Sequence, residues 1–104
     1  MVYIKMTQPV KSFDIVRIKE FHLFDTDDAT KTPISVGFRY QVCQDTGDKF
    51  VEEYNKFITI DDQEVVSKLF QKQQANRSFY DNVCMVLLQY LVDKSIESGT
   101  IEVK

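Results

Sequence analysis

From Ile34 to Cys43 the chain reads Ile-Ser-Val-Gly-Phe-Arg-Tyr-Gln-Val-Cys, an unbroken alternation. Ile34, Val36, Phe38, Tyr40 and Val42 share one parity; Ser35, Gly37, Arg39, Gln41 and Cys43 share the other. Successive side chains of a strand point to opposite faces, so this run predicts a strand with one buried face. A strand of that kind needs neighbours, and the flanking sequence supplies them. In Val2–Met6, Val2, Ile4 and Met6 share a parity, and Pro9 and Ser12 predict a bend soon after. Phe13–Asp25 alternates in two phases, Val16 and Ile18 in one, Phe21 and Leu23 in the other. A slip of one residue is what a β-bulge produces, so one long, bent strand is predicted there. Lys49–Ile60 carries Phe50, Tyr54, Ile58 and Ile60 on its fuller parity, with Val51 and Phe57 on the other.

The segment Gln44–Asp48 lies between two of these strands. Its Asp45-Thr46-Gly47 spells the core triplet of the aspartic protease fingerprint. That chemistry needs an aspartate buried beside its twin, so that two carboxyls share a proton. Here Gln44 precedes the triplet, and Asp48 and Lys49 follow it, which is a solvent-facing setting. The chain has three glycines, too few for a glycine-rich flap and a later apolar-glycine strand. The triplet is therefore expected to form a hairpin loop of three to five residues, with Gly47 at a positive φ. A register placing Val42 opposite Phe50, Phe38 opposite Tyr54 and Arg39 opposite Glu53 pairs apolar with apolar and cation with anion.

After Ile60 the period changes. Asp61 with Glu64 has the form of a capping box, and Val65, Val66, Leu69 and Phe70 follow at helical spacing. The first helix is expected to close near Ala75 or Asn76. Ser78 with Asp81 offers a second cap, opening a helix over Phe79–Ser98 with Gly99 just past its end. Thr100–Val103 reads as a short closing strand. The fold class expected is thus α+β. An antiparallel meander of three main strands, with short terminal strands, packs on two C-terminal helices in one domain over 1–104. Residues 1–60 are strand-rich, 61–98 helical and 100–103 the terminal strand.

Composition narrows function by exclusion. The thirteen Lys and Arg are scattered with no two adjacent, and the net charge is −3. Nucleic-acid binders concentrate cations in a stripe, so no nucleic-acid partner is expected, and no anionic membrane surface either. Val83–Val92 is the most apolar run and is too short to span a bilayer, which takes about 20 residues. The first fourteen residues contain no signal-peptide core. A cytoplasmic location follows as the expectation, in a cell or an infected host cell. Cys43 and Cys84 lack metal spacing and read as reduced, buried thiols. Asp25–Asp28 fails the EF-hand pattern, since its fifth, sixth and twelfth positions are Ala29, Thr30 and Val36. A pairing of His22 with Cys43 lacks any orienting group or oxyanion hole. No catalytic residue, cofactor or metal is expected.

The positive signal lies in the second helix. Phe79, Tyr80, Val83, Cys84, Met85, Val86, Leu87, Leu88, Tyr90, Leu91 and Val92 cover most of its circumference. A helix lying on a sheet needs only an apolar stripe, so a helix this wide is expected either to be central in its own fold or to share its surplus with another chain. Phe79, Val83, Val86, Leu87, Tyr90 and Leu91 are the candidate interface. The function expected is a non-enzymatic interaction or assembly module, acting as a homo-oligomer or a small subunit of a larger complex. The setting expected for such a module is that of a viral or phage structural or accessory protein. The alternative is a small-ligand-binding domain or enzyme with a loop-borne site near Asp25–Asp28.

Overall fold

The computed structural model describes residues 1–10, 12–25, 35–69 and 78–103. Its elements are β1 (Val2–Val10), β2 (Phe13–Phe24), β3 (Ser35–Asp45), β4 (Phe50–Ile60), α1 (Gln63–Lys68), α2 (Phe79–Asp93) and β5 (Gly99–Val103). The five strands form one antiparallel sheet in the order β4-β3-β2-β1-β5. The meander is as expected, and the terminal strand closes it by returning to β1. Both helices lie on the same face, α2 across β1, β2 and β5, and α1 against β3. The fold is α+β.

The alternation of β3 decides which face they cover. Val36, Phe38, Tyr40 and Val42 are all buried beneath the helices, together with Ile4, Val16 and Ile18 of the neighbouring strands. β2 contains the bulge that its two phases predict. Ile18 pairs with Tyr40 and Glu20 with Arg39, so Lys19 is the extra residue. The slip returns Phe21 to the covered face opposite Phe38. Without it Phe21 would face away from the core and Glu20 toward it.

The β3–β4 register departs from the expected one. Phe38 lies opposite Ile58, Arg39 opposite Phe57 and Val42 opposite Tyr54. The expected register has the right face for Tyr54 but not for Phe50, and it is displaced by four residues along β4, a shift that still pairs apolar with apolar. Cys43, Gln44 and Asp45 join the ladder, opposite Glu52, Val51 and Phe50, with a bulge at Glu53. The bulge exchanges the faces of Phe50 and Val51 relative to the simple alternation. The hairpin loop shortens to Thr46–Lys49, with Thr46 N–H donating to the Lys49 carbonyl at 3.0 Å and Gly47 at φ 93°.

Both helices also depart from the expected bounds. The cap of α1 is Asp62, not Asp61: its carboxylate accepts from the Glu64 N–H at 2.9 Å. The described helix closes at Lys68, and the expected continuation to Ala75 lies outside the described residues. Ser78 caps α2 as expected, its hydroxyl accepting from the Asp81 N–H. But α2 ends at Asp93, five residues before Ser98. Ser95 N–H donates to the Val92 carbonyl and Ile96 N–H to that of Leu91, with Ser95 at φ 57°. This is a Schellman closure with serine in the left-handed position that glycine usually fills. Gly99 has another task. It opens β5 opposite Met6, and a Cβ there would stand 2.1 Å from the Lys5 carbonyl oxygen.

Left-handed backbone costs a residue with a Cβ about 1 kcal/mol or more. Ser95→Gly is therefore expected to raise unfolding stability by about 1 kcal/mol in urea titrations, with an unchanged denaturant slope.

Candidate functional site

The surface of α2 divides cleanly. Val83, Cys84, Leu87, Leu88 and Leu91 recur at three- and four-residue spacing and are buried against the sheet. Three of the six candidate interface residues, Val83, Leu87 and Leu91, thus belong to the chain's own core. The other three lie elsewhere on the helix. At about 100° per residue, Phe79, Val86 and Tyr90 fall within one narrow stripe, bordered by buried Val83 on one side and by Asp93, Asn82 and Gln89 on the other. Phe79 is 51% exposed, and Val86 and Tyr90 are half-buried.

Beside this stripe α1 and α2 leave a groove of about 350 Å³. Val65, Met85, Val86 and Tyr90 supply its apolar part, and Asp62, Glu64, Lys68, Asp93 and Lys94 ring it with both signs of charge. Gln89 donates to the Asp93 carboxylate at 2.8 Å, which fixes that end of the stripe.

Among the described residues no helix lies over the opposite face of the sheet, and a chain of polar contacts crosses it. Arg17 donates to Gln41 (2.9 Å), Gln41 to Glu52 (3.0 Å), and Asn55 to the other oxygen of Glu52 (2.9 Å). Arg39 then donates to Asn55 (2.7 Å) and to Glu20 (3.0 Å), and His22 lies 3.5 Å from Glu20. Hydrogen bonds from Asn55 and Gln41 hold the Glu52 carboxyl below the usual range, and that from Arg39 does the same for Glu20. The two guanidiniums cover phenyl rings, Arg17 over Phe50 at 4.4 Å and Arg39 over Phe57 at 5.5 Å. Phe24 and Phe57 lean over Gly37, where any Cβ would meet them within 2.7 Å. The arrangement covers β3: Gly37, Gln41 and Cys43 are buried on a side that alternation alone assigns to solvent. The aromatics of β2 and β4 divide between faces, Phe24 and Phe57 here, Phe21 and Tyr54 with the core.

Inside the fold Glu97 is buried, and the hydroxyls of Tyr40 and Tyr54 both donate to its Oε1, at 3.1 and 2.8 Å. A buried carboxylate needs such donors. Burial, and then the carboxylate, push the Tyr40 phenol far up and that of Tyr54 up to about 12. Sequence reasoning placed both tyrosines inside. A buried Tyr must find a partner for its hydroxyl, but nothing local points to a residue 43 positions beyond Tyr54.

The other sequence candidates stay apart. Asp45 caps its own turn, accepting from the Gly47 N–H at 2.8 Å. His22 pairs with Gly37, six residues along β3 from Cys43, or about 20 Å at strand rise. Cys43 is on the face without helices and Cys84 on α2, so the sheet separates two free thiols. Burial raises both, Cys43 to about 11. Asp25 is exposed, while Asp27 and Asp28 lie outside the described residues. Among the described residues no group of three or more His, Cys, Asp and Glu side chains is placed to hold a metal, and no helix is long and apolar enough to cross a membrane. Comparison with family models, curated proteins and solved structures finds no match.

A phenol whose folded-state pKa is raised stabilises the fold fully below its unfolded value, about 10, and progressively less as pH climbs through the folded value. Stability is thus expected to fall between about pH 10 and 12. The 295 nm absorbance should show Tyr40 and Tyr54 ionising only with unfolding. Normal titration of all five tyrosines in the folded protein would contradict the Glu97 clamp.

Proposed function

We propose that the chain is a non-enzymatic interaction and assembly module, working as a homo-oligomer or a small subunit of a larger complex. Its contact surface is the outward stripe of α2. The observation supporting this is what that stripe contains. A helix whose inner side already fills the core needs only polar residues outside. Instead α2 carries Phe79, which is half-exposed, and Val86 and Tyr90, which sit at the margin of the core and leave part of their surface along a concave groove. Aromatic anchors in a concave setting with a charged rim are the usual anatomy of a protein contact.

Two glutamate substitutions separate contact from core. Val86→Glu is expected to leave the circular dichroism spectrum intact and to weaken association at least tenfold, read by native mass spectrometry and sedimentation. Leu87→Glu, one residue away, places a charge where the side chain is fully buried and is expected to unfold the domain. Association untouched by both Val86→Glu and Tyr90→Glu would remove the stripe as the contact surface.

A further inference from the structure

We infer that folding at high concentration exchanges the segment Ile96–Val103 between two copies of the chain, each laying its β5 on the β1 of the other. The inference does not depend on the α2 stripe.

Most of what this segment touches lies on the first four strands. Gly99–Val103 pair with Met6–Val2, and the Thr7 N–H donates to the Ser98 carbonyl. The Glu97 carboxylate accepts from Tyr40 on β3 and Tyr54 on β4. From α2 comes the Leu91 carbonyl, on which the Ile96 and Glu97 N–H groups converge. A second copy offers every one of these partners in the same arrangement. It also brings a strand that fits, where a foreign strand is screened out. Opposite Met6 the edge takes only glycine, because a Cβ would meet the Lys5 carbonyl. Two residues earlier, the two tyrosine hydroxyls call for a carboxylate.

The turn after α2 is what keeps the segment on its own domain. Asp93, Lys94 and Ser95 are exposed there, and Ser95 has φ 57°, the left-handed region that a Cβ disfavours. A short hinge under strain favours exchange, because opening it keeps the docking contacts and releases the strain. Straightening the turn gives up the hydrogen bond from the Ser95 N–H to the Val92 carbonyl, in a place where water replaces it. The opened chain spans at most about 10 Å from Asp93 to Ile96, which sets the two α2 C-termini side by side.

The test refolds the full chain from denaturant at about 1 µM and at about 100 µM. Wild type is expected to be monomeric from the dilute sample, and to give a species of twice 12.2 kDa from the concentrated one. Val2 lies opposite Val103, so single variants Val2→Cys and Val103→Cys are mixed, refolded together under reducing conditions at the higher concentration and then oxidised. A disulfide joining position 2 of one chain to position 103 of the other, mapped by peptide mass spectrometry, is the expected result. A dimer that leaves each β5 on its own β1 cannot form it. Cys43 and Cys84 are buried and stay out of the reaction. Ser95→Gly removes the strain from the closed turn and should weaken dimerisation by about 25-fold, about fivefold for each of two hinges. Val86→Glu leaves the hinge and the β1 edge untouched, so the exchanged dimer should survive it. A wild type monomeric at both concentrations, a dimer without the cross-chain disulfide, or a Ser95→Gly chain that dimerises as readily as wild type would each overturn the inference.

Discussion

Val36, Phe38, Tyr40 and Val42 form one row on the central part of the sheet, and the other elements are placed by the need to keep water off it. A single row of this kind commits one face of the sheet to the core. β2 carries a bulge beside it that returns Phe21 to the row's face, whereas the bulge in β4 turns Phe50 to the other face, where Arg17 covers it. The two helices then share the cover. α2 supplies five buried side chains, and short α1 reaches β3 with Val66 and Leu69.

Covering one face leaves the other with a different physical problem. β3 has a strand on either side, so its outward side chains are crowded even without helices above them. The solution is a layer of paired polar groups and stacked rings. Each carboxylate in it accepts from a guanidinium or an amide, and each guanidinium lies on a phenyl ring. Exposed ion pairs contribute little individually. A connected set spanning β2, β3 and β4 has more value in fixing register, because a one-residue slip would separate every pair at once. On the core side, Glu97 does similar work for the C-terminal segment, which two tyrosines tie back to β3 and β4.

The sheet was legible because alternation is a local signal. The bulge in β2 could be read from Val16, Ile18, Phe21 and Leu23 alone. The β3–β4 register could not, since Phe38 opposite Tyr54 and Phe38 opposite Ile58 satisfy the same apolar rule. The end of α2 was hidden because serine, not glycine, adopts the left-handed turn. The helix itself announced an excess of apolar residues but not its orientation. With hydrophobic side chains around most of the circumference, Leu87 and Val86 look alike in sequence, and only the packed structure separates a core residue from a surface one. The Glu97 clamp was beyond reach for the opposite reason: both tyrosines were placed correctly, and their acceptor lies far along the chain.

The pairing of β5 with β1 sets an order of events. Val2 lies opposite Val103 and Ile4 opposite Ile101. β1 is synthesised first and receives its second neighbour last. Until then its outer edge displays unpaired amide and carbonyl groups, a template for another strand. β5 begins six residues after α2 ends, so once α2 lies across β1 and β2 only a short loop remains to close. The nascent domain thus passes through a stage in which β1 to β4 can already pair while the β1 edge stays open. The period most open to misassembly ends only when Gly99 settles against the Lys5 carbonyl.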